Sequence, residues 1–173
     1  MKVLCSALFF FFLSFPLIAQ TSASSSVNVT ASLIRGLSIS NIGGNLAFGE
    51  IILTGNAQTP SIAPQNGANF QVTGHPNKNV TITFNPVTLN NNSWAASNGG
   101  IAGTILFVPS IENTGTSSSY YSGNVVTSGQ TYNLGNISGT GYLYLWAGGS
   151  LNIAADQPWG DYTGTLTITV AYP

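Results

Sequence analysis

The sequence predicts an all-β fold, a two-layer antiparallel sandwich, and three observations carry that prediction. Apolar residues alternate with polar ones at a period of two in one short segment after another. Clusters of Gly, Asn, Pro and Ser separate those segments, in a chain of 173 residues that holds 20 glycines and 8 prolines. No window of a dozen residues carries apolar side chains at the three-and-four spacing of an amphipathic helix, so no helix of consequence is expected.

Val27, Val29, Ala31 and Leu33 alternate with Asn28, Thr30 and Ser32, and after Gly36 the pattern resumes as Leu37-Ser38-Ile39-Ser40. This is the expected first strand, bent or bulged at Arg35-Gly36. Residues 41–45 hold two glycines and read as a turn, and 46–53 read as a second strand. Residues 54–67, with Pro60 and Pro64, read as a loop. Shorter strands are expected at 70–73, 80–84, 104–108, 120–126, 131–134, 142–147 and 151–154. In the last segment Tyr162, Leu166, Ile168, Val170 and Tyr172 face one way, with Gly164 as the gap, while Thr163, Thr165, Thr167 and Thr169 face the other. Such a strand buries one face and shows a threonine ladder to water.

The first 19 residues, MKVLCSALFFFFLSFPLIA, place a Lys beside the start, then a long apolar run, then a small residue. That arrangement is expected to be a secretory signal peptide cut after Ala19, with Ala23 the alternative site. A membrane anchor fits less well, because Pro16 interrupts the run and no basic flank follows it. Residues 20–26 are small and polar and read as a flexible lead-in, which leaves 27–173 as one sandwich domain. The expected destination is outside the cytoplasm, in the periplasm, at the cell surface or beyond it. Cleavage leaves 154 of the 173 residues, enough for a single buried core. It also removes Lys2 and Cys5, so Arg35 and Lys78 stand against Glu50, Glu112, Asp156 and Asp161, with no cysteine left. The fold must then rest on burial and strand pairing alone.

Charged residues are 4% of the chain, against roughly 25% in ordinary soluble proteins. With three basic residues in all, no cluster can neutralise a phosphate backbone, and nucleic acid is excluded as a partner. One histidine and one cysteine leave most catalytic and zinc constellations unbuildable, so no catalytic residue, cofactor or metal is expected. Asp156 and Asp161 bracket a probable turn at Gln157-Pro158-Trp159-Gly160. A paired-carboxylate hydrolase or a calcium site can be imagined there, yet Asp beside a turn ordinarily bonds its own backbone. His75, in Gly74-His75-Pro76-Asn77-Lys78, reads as an exposed loop histidine.

Two segments are better leads. Along 142–147, period two puts Tyr142, Tyr144 and Trp146 on one face and Leu143, Leu145 and Ala147 on the other. If the leucines are inside, the aromatics line an exposed surface suited to stacking on sugar rings or packing on another subunit. If the aromatics are inside, that surface does not exist, and the pattern leaves both arrangements open. Val27, Val29, Ala31 and Leu33 are either the domain's own first strand or a strand that adds to a neighbour.

Two passages carry a resemblance. The first is Val29-Thr30-Ala31, Leu37-Ser38-Ile39 and Leu46-Ala47-Phe48-Gly49; the second is Ala147-Gly148-Gly149-Ser150-Leu151-Asn152-Ile153, then Gly160-Asp161-Tyr162-Thr163-Gly164. Together they resemble the exported bacterial family known as domain of unknown function 4402, itself similar to spore coat protein U and to chaperone–usher pilin domains. The resemblance implies an immunoglobulin-like antiparallel sandwich outside a bacterial cell, as a subunit of a surface polymer. The expected function is therefore a non-catalytic structural or adhesive surface protein, pilin-like and assembling by strand addition, with a carbohydrate-binding module as the alternative. Expected partners are copies of itself, related surface subunits or carbohydrate, and the chain is not expected to span a membrane after cleavage.

Overall fold

The computed structural model describes residues 24–173. The expected leader at 1–19, its cleavage sites, and residues 20–23 of the lead-in lie outside the described residues. Strands are β1 (Ser38–Asn41), β2 (Ser61–Ile62), β3 (Ala68–Gly74), β4 (Asn79–Phe84) and β5 (Val87–Asn90), then β6 (Thr104–Asn113), β7 (Asn124–Val125), β8 (Thr131–Asn133), β9 (Gly135–Ile137), β10 (Thr140–Asn152) and β11 (Ile168–Ala171). One α-helix, α1 (Asn92–Asn98), lies between β5 and β6, and a single 3-10 turn spans Pro64–Asn66, among the described residues. The architecture is the all-β antiparallel sandwich that the alternation predicts. One sheet runs β1-β3-β10-β6-β5, with β2 and β9 also on β10 and β7 on β6; the other runs β11-β4-β8.

Alternation decides which side chains meet between the sheets. On β10, Leu143, Leu145 and Ala147 point inward and are buried, beside Val72 of β3 and Ile111 of β6. Val80 and Ile82 of β4, with Ile168 of β11 and Leu134, close over them from the second sheet. A second cluster, Ile105 and Phe107 of β6 with Leu151 and Ile153, continues the core toward the far end of β10. The final segment alternates as expected: Tyr162, Leu166, Val170 and Tyr172 pack on the core while Thr163, Thr165, Thr167 and Thr169 are exposed.

Several elements depart from expectation. Residues 24–37 form no strand, so the expected first strand over Val27, Val29, Ala31 and Leu33 shrinks to β1. Period two shows that a segment suits a half-buried environment; it does not supply a partner backbone. The same holds for residues 46–53, where Leu46, Phe48 and Ile51 pack on the core without forming a strand. The expected strands at 142–147 and 151–154 are one strand, because β10 runs through Gly148 and Gly149. A Cβ on Gly148 would lie 2.2 Å from the Ile62 carbonyl oxygen, so the close approach of β2 requires glycine there. Helix α1 has seven residues, too short to show a periodic face, and ends at Gly99, whose φ of 66° suits glycine. Of the strand expected at 120–126, only β7 forms.

Candidate functional site

The second core cluster is only partly roofed. The smaller sheet has three strands, and residues of its β4 and β11 close over the first core cluster. In the second cluster Ile105, Phe107, Leu151 and Ile153 meet side chains from two extended segments instead. One is 46–53, which contributes Leu46, Phe48 and Ile51; the other leads into β11 and contributes Tyr162 and Leu166. Between them lies a groove of about 1080 Å³, floored by these apolar residues together with Val87 and Leu89 of β5. Phe48 meets Phe107 edge to face at 6.0 Å and ties the first wall to the floor.

The backbones of both walls are short of partners. Residues 44–57 make no backbone-to-backbone hydrogen bond with any described residue. In the opposite wall Thr163 exchanges two backbone bonds with Asn90, both 3.0 Å, and regular pairing resumes only at β11. Gly164 lets this wall lie close to the floor, since a Cβ there would sit 2.5 Å from Leu89 Cδ2. The wall is anchored by Tyr162, whose hydroxyl donates to the Pro158 carbonyl at 2.6 Å and accepts from Gln157 Nε2 at 2.7 Å.

One end of the groove is held by a buried amide. Asn91 is buried; its Nδ2 donates to the carbonyls of Ile101 (3.0 Å) and Trp159 (3.2 Å), and its Oδ1 accepts from the Gly103 amide (2.7 Å). Trp159 packs edge to face on Trp94 at 4.7 Å and is 68% exposed. Composition alone singled out neither tryptophan, because nothing local shows that residues 65 apart will pair. The charged residues of the lining are Glu50 and Asp161, both acidic and exposed.

The arrangement has definite chemical capacities. Residues 44–57, whose amides and carbonyls have no backbone partner among the described residues, stand above an apolar floor and match the needs of an extended polypeptide. The volume is at the upper end of small-ligand pockets, roughly 300–1,000 Å³. Among the described residues no three His, Cys, Asp or Glu side chains converge to hold a metal ion.

The residues singled out from the sequence fall in different places. Val27, Val29, Ala31 and Leu33 are exposed. Leu143, Leu145 and Ala147 are in the core, so Tyr142, Tyr144 and Trp146 lie on the outer face of β10. Of the two arrangements the pattern leaves open, the one with the leucines inside forms, and its outward aromatics are themselves largely covered. Tyr144 is 8% exposed and its hydroxyl accepts from Gln71 Nε2 at 2.6 Å; Trp146 donates its indole N–H to Thr114 Oγ1 at 3.1 Å. Tyr120 packs its edge on Trp146 at 5.4 Å and donates to the Glu112 carboxylate, so the loop after β6 folds back over the aromatics. Tyr142 is half-buried and stacks on Tyr144. Asp156 is exposed in a turn, and Asp161 stands at the groove. His75 is half-buried, its Nδ1 accepting from the Arg35 amide at 3.3 Å, and corrects the expectation of an exposed histidine.

Both passages that carried the family resemblance reach this groove, through Leu46, Phe48 and Gly49 on one wall and Gly160 to Gly164 on the other. A family model described as "Domain of unknown function (DUF4402)" matches residues 12–172. No curated protein and no solved structure matches the chain.

Proposed function

We propose, for a chain that belongs to the domain of unknown function (DUF4402) family, a non-catalytic structural role outside the cell, with the groove as an acceptor for an extended strand from another polypeptide. The observation that carries this reading is a wall at residues 44–57 with no backbone partner among the described residues, facing a sparsely paired second wall over an apolar floor. A strand laid there completes the smaller sheet, satisfies both walls and covers the second core cluster. The leader-like run at 1–19 supports export, and with no cysteine after it, added strand pairing supplies stability that disulfides would otherwise give. The likeness to coat and pilin proteins belongs to the same proposal.

Imaging the surface of producing cells with and without the protein tests the role. Surface filaments or a coat that disappear with the protein are the expected result, and an unchanged surface would count against a structural subunit. A carbohydrate-binding role rests on the exposed Trp159 and Tyr121, since Tyr144 is buried and the loop after β6 packs over Trp146. Titration of purified protein with soluble glycans, read by tryptophan fluorescence, separates the two readings.

A further inference from the structure

We propose that the Trp159 corner of the groove is a binding site for an amino sugar, a pyranose that carries a protonated amine. This rests on the carbohydrate reading given above and does not require the groove to accept a strand.

The backbone of the loop that carries Trp159 is pinned, yet its largest side chain is displayed. Asn91, buried, donates from Nδ2 to the Trp159 carbonyl at 3.2 Å, and the Tyr162 hydroxyl donates to the Pro158 carbonyl at 2.6 Å. The Gln157 amide donates to the Ala154 carbonyl at 3.2 Å, and Gln157 Nε2 donates to the Thr104 carbonyl at 3.2 Å. Behind the loop, Trp94 meets the Trp159 ring edge to face at 4.7 Å. Gly160 permits that approach, since its φ is 136° and a Cβ there would lie 2.6 Å from Trp94 Cε3. All of this holds the main chain while 68% of Trp159 faces water. Folding alone would turn so large an apolar side chain inward. Displayed on a rigid support, it loses little freedom when a ligand stacks on it.

The chemistry around the ring selects the ligand. The charged residues of the groove lining are Glu50 and Asp161, both exposed carboxylates, and Asp161 is two positions from Trp159 along the pinned loop. Among the described residues the fixed cations are Arg35 and Lys78, and neither lines the groove. Carboxylates accept hydrogen bonds and donate none, so they suit a ligand rich in O–H and N–H donors and repel one with an acid group of its own. An indole face takes the C–H side of a sugar ring and attracts a cation held near it. An amino sugar meets every one of these demands: a ring face for the indole, hydroxyl donors and an ammonium for the carboxylates. A neutral sugar leaves the charge of the site unanswered, and a sugar acid opposes it. An apolar protein surface laid on Trp159 would bury the neighbouring carboxylate without a partner, at a cost that a wet, donor-rich ligand avoids.

Isothermal titration calorimetry of the exported protein tests the assignment with three tetrasaccharides of one linkage, built from glucosamine, N-acetylglucosamine and glucose. The glucosamine tetramer is expected to bind about tenfold or more tightly than the other two. Trp159→Ala should weaken it by about tenfold or more. Asp161→Asn, exposed and nearly isosteric, should keep the wild-type melting temperature and bring the glucosamine tetramer down to the level of the glucose tetramer. Asp156→Asn removes the same charge from an exposed turn outside the groove lining and should bind like wild type. If Trp159→Ala does not fold, the two aspartate variants still decide the outcome. Equal affinity for the three tetramers, or preference for an uncharged one, would overturn the amino-sugar assignment and leave the carbohydrate reading standing. No binding of any tetramer would overturn both. A preference for the glucosamine tetramer that Asp156→Asn weakens as much as Asp161→Asn does would replace this site with general attraction to a negatively charged chain.

Discussion

The Tyr172 hydroxyl donates to the Arg35 carbonyl at 3.0 Å and accepts from the His75 amide at 2.7 Å, joining positions 137 residues apart. This one oxygen fixes the last strand, the β3–β4 turn and the point where the chain joins the sandwich. Tyr172→Phe keeps the ring and removes both bonds. It should cost about 1–2 kcal/mol and lower the melting temperature by roughly 3–6 °C. A melt identical to wild type would show that water replaces the hydroxyl without cost.

Gly148 and Gly164 should differ in their response to alanine. At Gly148 the new methyl meets backbone atoms only, 2.2 Å from the Ile62 carbonyl oxygen and 2.7 Å from Pro64 N. At Gly164 it meets side-chain atoms of Leu89 and Val87, which can turn aside. Gly148→Ala is expected to cost about 3 kcal/mol and Gly164→Ala about 1 kcal/mol, in chemical denaturation. The reverse order would mean that β2 moves more freely than the groove wall.

Asn91→Ala strips three partners from a buried amide at once. The expected loss is about 2–4 kcal/mol, because the Gly103 amide and two carbonyls are left without their bonds. Tryptophan fluorescence should shift as the Trp159 backbone is released and the Trp94–Trp159 contact loosens. A destabilised variant with unchanged fluorescence would uncouple the amide from the tryptophan pair.

The hydrogen bond to the Glu112 carboxylate, followed by desolvation and the carboxylate's charge, holds the Tyr120 phenol above the ordinary tyrosine range. The folded state thus favours the neutral phenol more than the unfolded chain does. Its contribution to stability is complete below about pH 10 and disappears as pH rises through the raised folded value. In an alkaline absorbance titration, the difference between wild type and Tyr120→Phe should show a late-ionising tyrosine. Glu112→Gln should bring that step back to lower pH, and an unmoved step would remove Glu112 as its cause.

How legible these features were depended on whether they are local. The inward faces of β3, β4, β6 and β10 follow from alternation, as does the split between Tyr162, Leu166, Val170 and Tyr172 and the four threonines. Alternation could not tell Leu46 and Phe48 outside any ladder from the same residues within one, because it reports one face and not the edges, and it would have put Ile51 on the opposite face. Nor could it show Tyr120 covering Trp146, a contact made by a loop that returns across the sheet. The groove was invisible for the same reason: its floor, walls and tryptophan end come from five separate stretches of chain.

The two walls of the groove differ in what shields their amides. Thr163 bonds with Asn90 in both directions, whereas residues 44–57 have no backbone partner among the described residues. Deuterium should therefore enter the 44–57 wall almost as fast as a free chain and reach the Thr163 amide far more slowly, so that the two sides of one cleft keep different clocks.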